Sequence, residues 1–153
     1  MKTQFICLVL AIVLVCPSAF AQWVKQESGT TKNLYGVYFT DANTGTVVGD
    51  SGTILRTTNG GATWTRQQCG TTQALRGVSI ADAFNGTVVG DSGVILRTSN
   101  GGATWMPQAS GSSLSLCGVC FTDATNGTVV GGWDPLCRGP SYSPGGRANI
   151  FPT

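Results

Sequence analysis

Trp23, Trp64 and Trp105 stand 41 residues apart, and the stretches between them are near copies of one another. Residues 34–64 match residues 75–105 at 23 of 31 positions without a gap, and a third copy opening at Leu116 matches the first at 12 of 16 positions as far as Gly131. A fixed period of this length restricts the chain to architectures in which one supersecondary unit stacks on the next.

Inside each copy the period is two, not 3.6. Leu75, Gly77 and Ser79 alternate with Arg76, Val78 and Ile80; Thr87-Val88-Val89 follows Asn85-Gly86; Val94-Ile95-Leu96 follows Asp91-Ser92-Gly93; and Trp105 opens the next run after Asn100-Gly101-Gly102. Four short β-rich runs between Gly, Asn and Asp turns predict a four-stranded antiparallel meander. Asn85-Gly86 and Asn126-Gly127 supply the positive φ that a tight hairpin turn needs. One such sheet cannot bury both faces alone, so successive sheets must stack, and radial stacking makes each a β-propeller blade. A β-helix is the competing solenoid, but its coils are shorter and poorer in hairpins. The expectation is an all-β chain of propeller-type, four-stranded antiparallel blades, two complete and others partial. Its parts are a closing strand from Trp23, a blade over 34–68, a blade over 75–109 and a partial blade over 116–131. Leu34, Val37, Phe39, Val47, Val48, Ile54 and Leu55, with their copies, are the candidate blade-to-blade core. Gly36, Gly77 and Gly118 mark where inner strands crowd towards a central channel.

Residues 1–21 read as a separate object. Lys2 is a charged n-region, Phe5 to Val15 is apolar, and Ser18-Ala19-Phe20-Ala21 offers a small-residue cleavage site. This is the pattern of a signal peptide cleaved after Ala21, which makes the expected product secreted or periplasmic. The apolar run is short for a helix crossing roughly 30 Å of hydrocarbon, so no stable membrane span is expected after cleavage. A lipid-anchored Cys16 is disfavoured by Val15, which stands where a small residue is expected.

Basic and acidic residues nearly balance, 9 against 7, and there is no histidine. Without a basic field, nucleic acid is not expected as a partner. Without histidine, the commonest general base and metal ligand are missing, and neither a cofactor nor a metal is expected. Cys69, Cys117, Cys120 and Cys137 follow the leader and are candidate disulfide cysteines with three pairings open. Cys117-Gly-Val-Cys120 has redox spacing, but it falls in a predicted strand rather than at the helix N-terminus where a thiolate is stabilised.

The turn before each tryptophan is the sharpest local motif: Thr57, Asn59, Gly61, Thr63 and Trp64, repeated as Thr98, Asn100, Gly102, Thr104 and Trp105. It resembles the Asp-box, or bacterial neuraminidase repeat, with Asn59 and Asn100 in place of the usual Asp. Its expected role is structural. The wider pattern, Gly-Val-x-Phe-x-Asp through Asn-Gly-Gly-x-Thr-Trp over residues 23–131, resembles the photosystem II stability/assembly factor family. That resemblance implies an exported, non-enzymatic propeller that binds a protein partner or scaffolds assembly, in photosynthesis where the host is photosynthetic. Arg56 and Arg97, equivalent positions after Ile-Leu, and Arg76 are the candidate partner-binding residues; solvated strand edges are the competing account.

Asp-boxes also decorate sialidases, so a sialidase-like glycoside hydrolase fragment is the alternative. It would need an arginine triad, a Tyr–Glu nucleophile pair and an acid/base Asp. The sole glutamate is Glu27, while Asp41, Asp82 and Asp123, and Asp50 and Asp91, recur at turns where backbone capping explains them. A calcium reading of Asp41/Asn43, Asp82/Asn85 and Asp123/Asn126 lacks the dense alternating acids of a calcium loop.

After Gly131 the repeat gives way to a Pro- and Gly-rich run, so 132–153 are expected to be irregular or disordered. A natural cap and a reading-frame slip both account for that break. Either several chains close a ring together or an open fragment exposes sheet faces; self-association through unclosed blades is the common expectation.

Overall fold

The computed structural model describes residues 23–132 and, as backbone, 149–152. Three antiparallel sheets follow one another along the chain. The first is β1 (Leu34–Phe39), β2 (Gly45–Gly49), β3 (Thr53–Thr57) and β4 (Thr65–Gln67), in that order across the sheet. The second repeats it as β5 (Leu75–Ile80), β6 (Gly86–Gly90), β7 (Ile95–Thr98) and β8 (Met106–Gln108). The third pairs β9 (Leu116–Phe121) with β10 (Gly127–Gly131), and β10 in turn with β11 (Asn149–Pro152). The all-β, four-stranded blade architecture expected from the repeat is present, with the sheets unclosed.

The sheets fan rather than lie flat on each other. β5 packs against β1 and β2, and β9 packs against β5 and β6, so blades converge at their first strands. Glycine makes that convergence feasible. A Cβ on Gly36 would lie 3.0 Å from the Arg76 carbonyl oxygen, and one on Gly77 would lie 3.2 Å from the Cys117 carbonyl oxygen. These are the crowded inner positions expected of Gly36 and Gly77.

The core between blades 1 and 2 joins Val48, Ile54 and Cys69 to Leu75, Val78, Ile80, Val88, Leu96 and Trp105, all buried. A smaller cluster of Val89, Leu116 and Val129 lies between blades 2 and 3. Val47 and Leu55 are buried as expected, whereas Leu34, Val37 and Phe39 are exposed. Val37, Val47 and Leu55 are ladder partners on one face, so the exposure of that face is confined to β1 at the sheet's edge, while Val48 and Ile54 on the other face pack against blade 2.

Two expectations at the ends are corrected. The segment expected to be irregular contains β11, which pairs Val129 with Phe151 and Val130 with Ile150. The third strand of blade 3 thus comes from beyond the Pro- and Gly-rich run, in the register in which Val47 meets Leu55 and Val48 meets Ile54 in blade 1. At the other end no strand starts at Trp23 among the described residues.

Candidate functional site

Each Asp-box-like turn is a closed hydrogen-bond set. The Thr57 hydroxyl accepts from the Gly61 N–H at 2.9 Å and donates to Asn59 Oδ1 at 2.9 Å; Asn59 Oδ1 also accepts from the Thr63 N–H at 2.9 Å. Thr98, Asn100, Gly102 and Thr104 repeat these contacts. Asparagine adds something a carboxylate lacks: Asn59 Nδ2 donates to the Thr63 hydroxyl at 2.9 Å, and Asn100 Nδ2 donates to Thr104 at 2.8 Å. Gly61 and Gly102 have φ of 89° and 86°, which a side chain would strain. Trp64 meets Phe39 edge-on, with centroids 6.2 Å apart, and Trp105 is buried with its Nε1–H donated to Gln67. The side chains of Thr57, Asn59 and Thr63, and of Thr98, Asn100 and Thr104, are thus bonded within their own turns.

Asp41, Asp82 and Asp123 do the same for the β1–β2, β5–β6 and β9–β10 hairpins. Asp41 accepts the N–H groups of Asn43 and Thr44, Asp82 those of Phe84 and Asn85, and Asp123 those of Thr125 and Asn126. Backbone donors hold the Asp41 carboxyl below its ordinary range, led by Asn43. The Asn85 side chain leads for Asp82, and the Asn126 side chain for Asp123.

A different arrangement lies along the inner strands. Tyr35, Arg76 and Cys117 occupy one repeat position, and Asp50 and Asp91 another. In blade 1 the Tyr35 hydroxyl donates to Asp50 Oδ1 at 2.9 Å, while Asn33 Nδ2 donates to Asp50 Oδ2 at 2.9 Å. In blade 2 Arg76 grips Asp91 with two parallel bonds of 3.0 and 2.8 Å, and its guanidinium sits 4.3 Å from the centre of the Tyr35 ring. Phenol, carboxylates and guanidinium therefore form one polar ridge crossing from blade 1 to blade 2. The hydrogen bond to Asp91 raises the Arg76 pKa, and that from Tyr35 lowers the Asp50 pKa. In blade 3 the repeat position is Cys117, which is disulfide-bonded; Cys69 and Cys120 are free thiols, so its partner lies outside the described residues, as does Cys137.

The three candidate arginines do not form one stripe. Arg56 and Arg97 lie on the third strands β3 and β7, and Arg76 lies on the inner strand β5. Arg97 Nη2 donates to the Ala124 carbonyl and its guanidinium stands 5.4 Å over the Phe121 ring, so Arg97 ties blade 2 to blade 3. Sequence reasoning assigned Asp50 and Asp91 to turns and missed their partners on the inner strands. The signal was available: Tyr35 and Arg76 share the 41-residue spacing of Asp50 and Asp91.

Cys69 lines a cavity of about 520 Å³ beside Thr71, Ser92, Val94, Trp105 and Gln108, with its thiol turned to the Gly52 carbonyl at 3.0 Å. Glu27, the sole glutamate, pairs with Lys25 in full solvent at 3.0 Å. No helix among the described residues is long and apolar enough to cross a membrane.

A fan of repeat-built antiparallel blades, with a polar ridge on its inner strands, defines this as a propeller-class protein. Residues 16–115 match the family of the photosynthesis system II assembly factor YCF48, and the chain belongs to that family. It is similar in fold to a structure of YCF48 bound to a D1 peptide, with a TM-score of 0.61 and 22% identity, over 67% of this chain and 35% of that one. It is similar also to YCF48 from Cyanidioschyzon merolae, with a TM-score of 0.58 and 23% identity, over 67% of this chain and 36% of that one. The chain thus spans about a third of the length of those proteins. No curated protein matches it.

Proposed function

We propose that the chain is an exported, non-catalytic assembly scaffold that binds a polypeptide segment along the ridge of Asn33, Tyr35 and Arg76. The observation that carries this reading is the continuity of that ridge: an aromatic face and a clamped guanidinium stand on the neighbouring inner strands β1 and β5, each bonded to a carboxylate from the turn that follows the next strand of its own blade. Such groups offer a peptide both hydrogen-bond directions and both charges, already ordered before binding. Family membership supports an assembly role, and the YCF48 structure solved with a D1 peptide shows that a relative takes a peptide. The leader-like pattern of residues 1–21 supports export.

The test is calorimetric titration of the purified chain with that D1 peptide and with the same residues in scrambled order. Selective binding of the ordered peptide is expected. Arg76→Gln should weaken it about ten- to a hundredfold, in line with a lost charged hydrogen bond of roughly 1.5–3 kcal/mol. Equal binding of the scrambled peptide, or an Arg76→Gln variant that folds and binds as before, contradicts the proposal.

A further inference from the structure

Blades 1 and 2 differ at one equivalent position of their fourth strands. Arg66 stands opposite Leu55 in β4, and its counterpart opposite Leu96 in β8 is Pro107. In blade 1 the Arg66 guanidinium reaches over the turn between β2 and β3, where Nη2 donates to the Ser51 carbonyl at 3.4 Å. Proline carries no such group. In blade 2 Pro107 and Ser92, the counterparts of Arg66 and Ser51, instead line an open cleft of about 520 Å³, within the roughly 300–1,000 Å³ of ligand clefts.

Around that difference the two turns agree. Ser51 and Ser92 share a left-handed backbone, with φ of 55° and 58°, so the two turns present their carbonyls alike. The floor of the cleft is apolar, built from Val94, Leu96 and Trp105, and the Cys69 thiol lies beside it, turned to the Gly52 carbonyl. Val94 is half-buried, whereas Thr53 at the same repeat position is fully buried, so this position is closed over in blade 1 and open in blade 2. No charged side chain among the described residues lines the cleft.

We propose that this cleft receives an arginine side chain of a partner polypeptide, in the place that Arg66 takes in blade 1. The methylene stem of arginine suits the apolar floor, and its planar head lies against Trp105 while donating to the Ser92 carbonyl. The repeat itself names this occupant, because the chain's own guanidinium already sits on the equivalent carbonyl. Lysine fits poorly. Its ammonium is a compact, strongly hydrated charge, and the cleft holds no carboxylate to offset the loss of water, whereas the guanidinium is more weakly hydrated and spreads its charge over a flat fork. None of Asn33, Tyr35 and Arg76 lines the cleft, so it is a second site, separate from the polar ridge.

The experiment follows alkylation of the purified chain by N-ethylmaleimide, resolved residue by residue by mass spectrometry, with a capped glycine peptide carrying one arginine as the probe. Cys69 reports on the cleft, and the exposed thiol of Cys120, which does not line it, is the internal reference. Cys69 alkylation should slow hyperbolically with peptide, about tenfold at about ten times the half-protecting concentration, while Cys120 keeps its rate. The lysine counterpart should protect only at higher concentration. Pro107→Arg should set a guanidinium over Ser92 from within, slowing Cys69 alkylation without peptide and abolishing the peptide effect, with an unchanged β-sheet circular dichroism spectrum. Absence of saturable protection, equal slowing of Cys120, equal protection by the lysine peptide, or a Pro107→Arg variant that folds and responds as the parent does, each overturns the proposal. So does a Cys69 thiol that the reagent never reaches, since the cleft would then be closed to solutes. The D1 peptide titration reads the ridge residues instead, so each result stands without the other.

Discussion

At residue scale the repeat acts as a built-in mutant series. Thr53 is fully buried and its hydroxyl has no hydrogen-bond partner, whereas the same position in blade 2 is Val94. An unmet buried polar group costs about 1–3 kcal/mol, and valine keeps the branched shape. Thr53→Val is therefore expected to raise the melting temperature, and thermal unfolding followed by circular dichroism checks it; a lower melting point would show that the hydroxyl is satisfied. The hairpin aspartates give a second expectation. Asp41, Asp82 and Asp123 are all held below the ordinary value of 3.8 by donors that exist only in the folded turns. A depressed folded pKa means stability that is present above the unfolded value and is lost as pH falls through the folded one. Melting temperature should thus hold at mildly acidic pH and drop below about pH 4, and the triple Asp→Asn variant should show a shallower acid slope. A triple variant with the parent's slope would place the acid sensitivity elsewhere.

At the scale of elements, strands and turns were legible because local chemistry specifies them. Asn59-Gly60-Gly61 and Asn100-Gly101-Gly102 take positive φ at both glycines, whereas Asn85-Gly86 and Asn126-Gly127, expected to do the same, do not: Gly86 and Gly127 open β6 and β10, and Asp82 and Asp123 hold those turns instead; period-two runs between the turns read as strands. The strand β11 was not legible, because nothing in Asn149–Pro152 copies the repeat; what selects it is the open edge of β10, a tertiary fact. Nor could sequence separate the roles of Arg76 and Arg97, since both are simply strand arginines until β5 and β7 are placed against their neighbours. Gly77 is the point where element spacing is set. A Cβ there would lie 3.1 Å from Val89 Cγ2 and 3.2 Å from the Cys117 carbonyl, with backbone on one side that cannot yield easily. Gly77→Val should therefore pry β5 from β9 and cost about 1–3 kcal/mol in denaturant unfolding. An unchanged unfolding midpoint would mean that blades 2 and 3 are not in contact at their inner strands.

At whole-molecule scale, burial is distributed unevenly along an otherwise repetitive chain. Blade 2 is covered on both faces: β6 is buried along its whole length, between the cluster of Val48, Ile54 and Val88 and that of Val89, Leu116 and Val129. β1 has only one covered face, and β10 is covered at Val129 and open at Val130. In a stacked array each unit is stabilised by its own folding and by contacts with its neighbours, so a doubly covered unit opens last. Amide hydrogen exchange should accordingly be slowest in Gly86–Gly90 and faster in Leu34–Phe39 and Gly127–Gly131, although the three blades share most of their sequence. Exchange in β1 and β10 that matches β6 would mean that these faces are already covered within one chain.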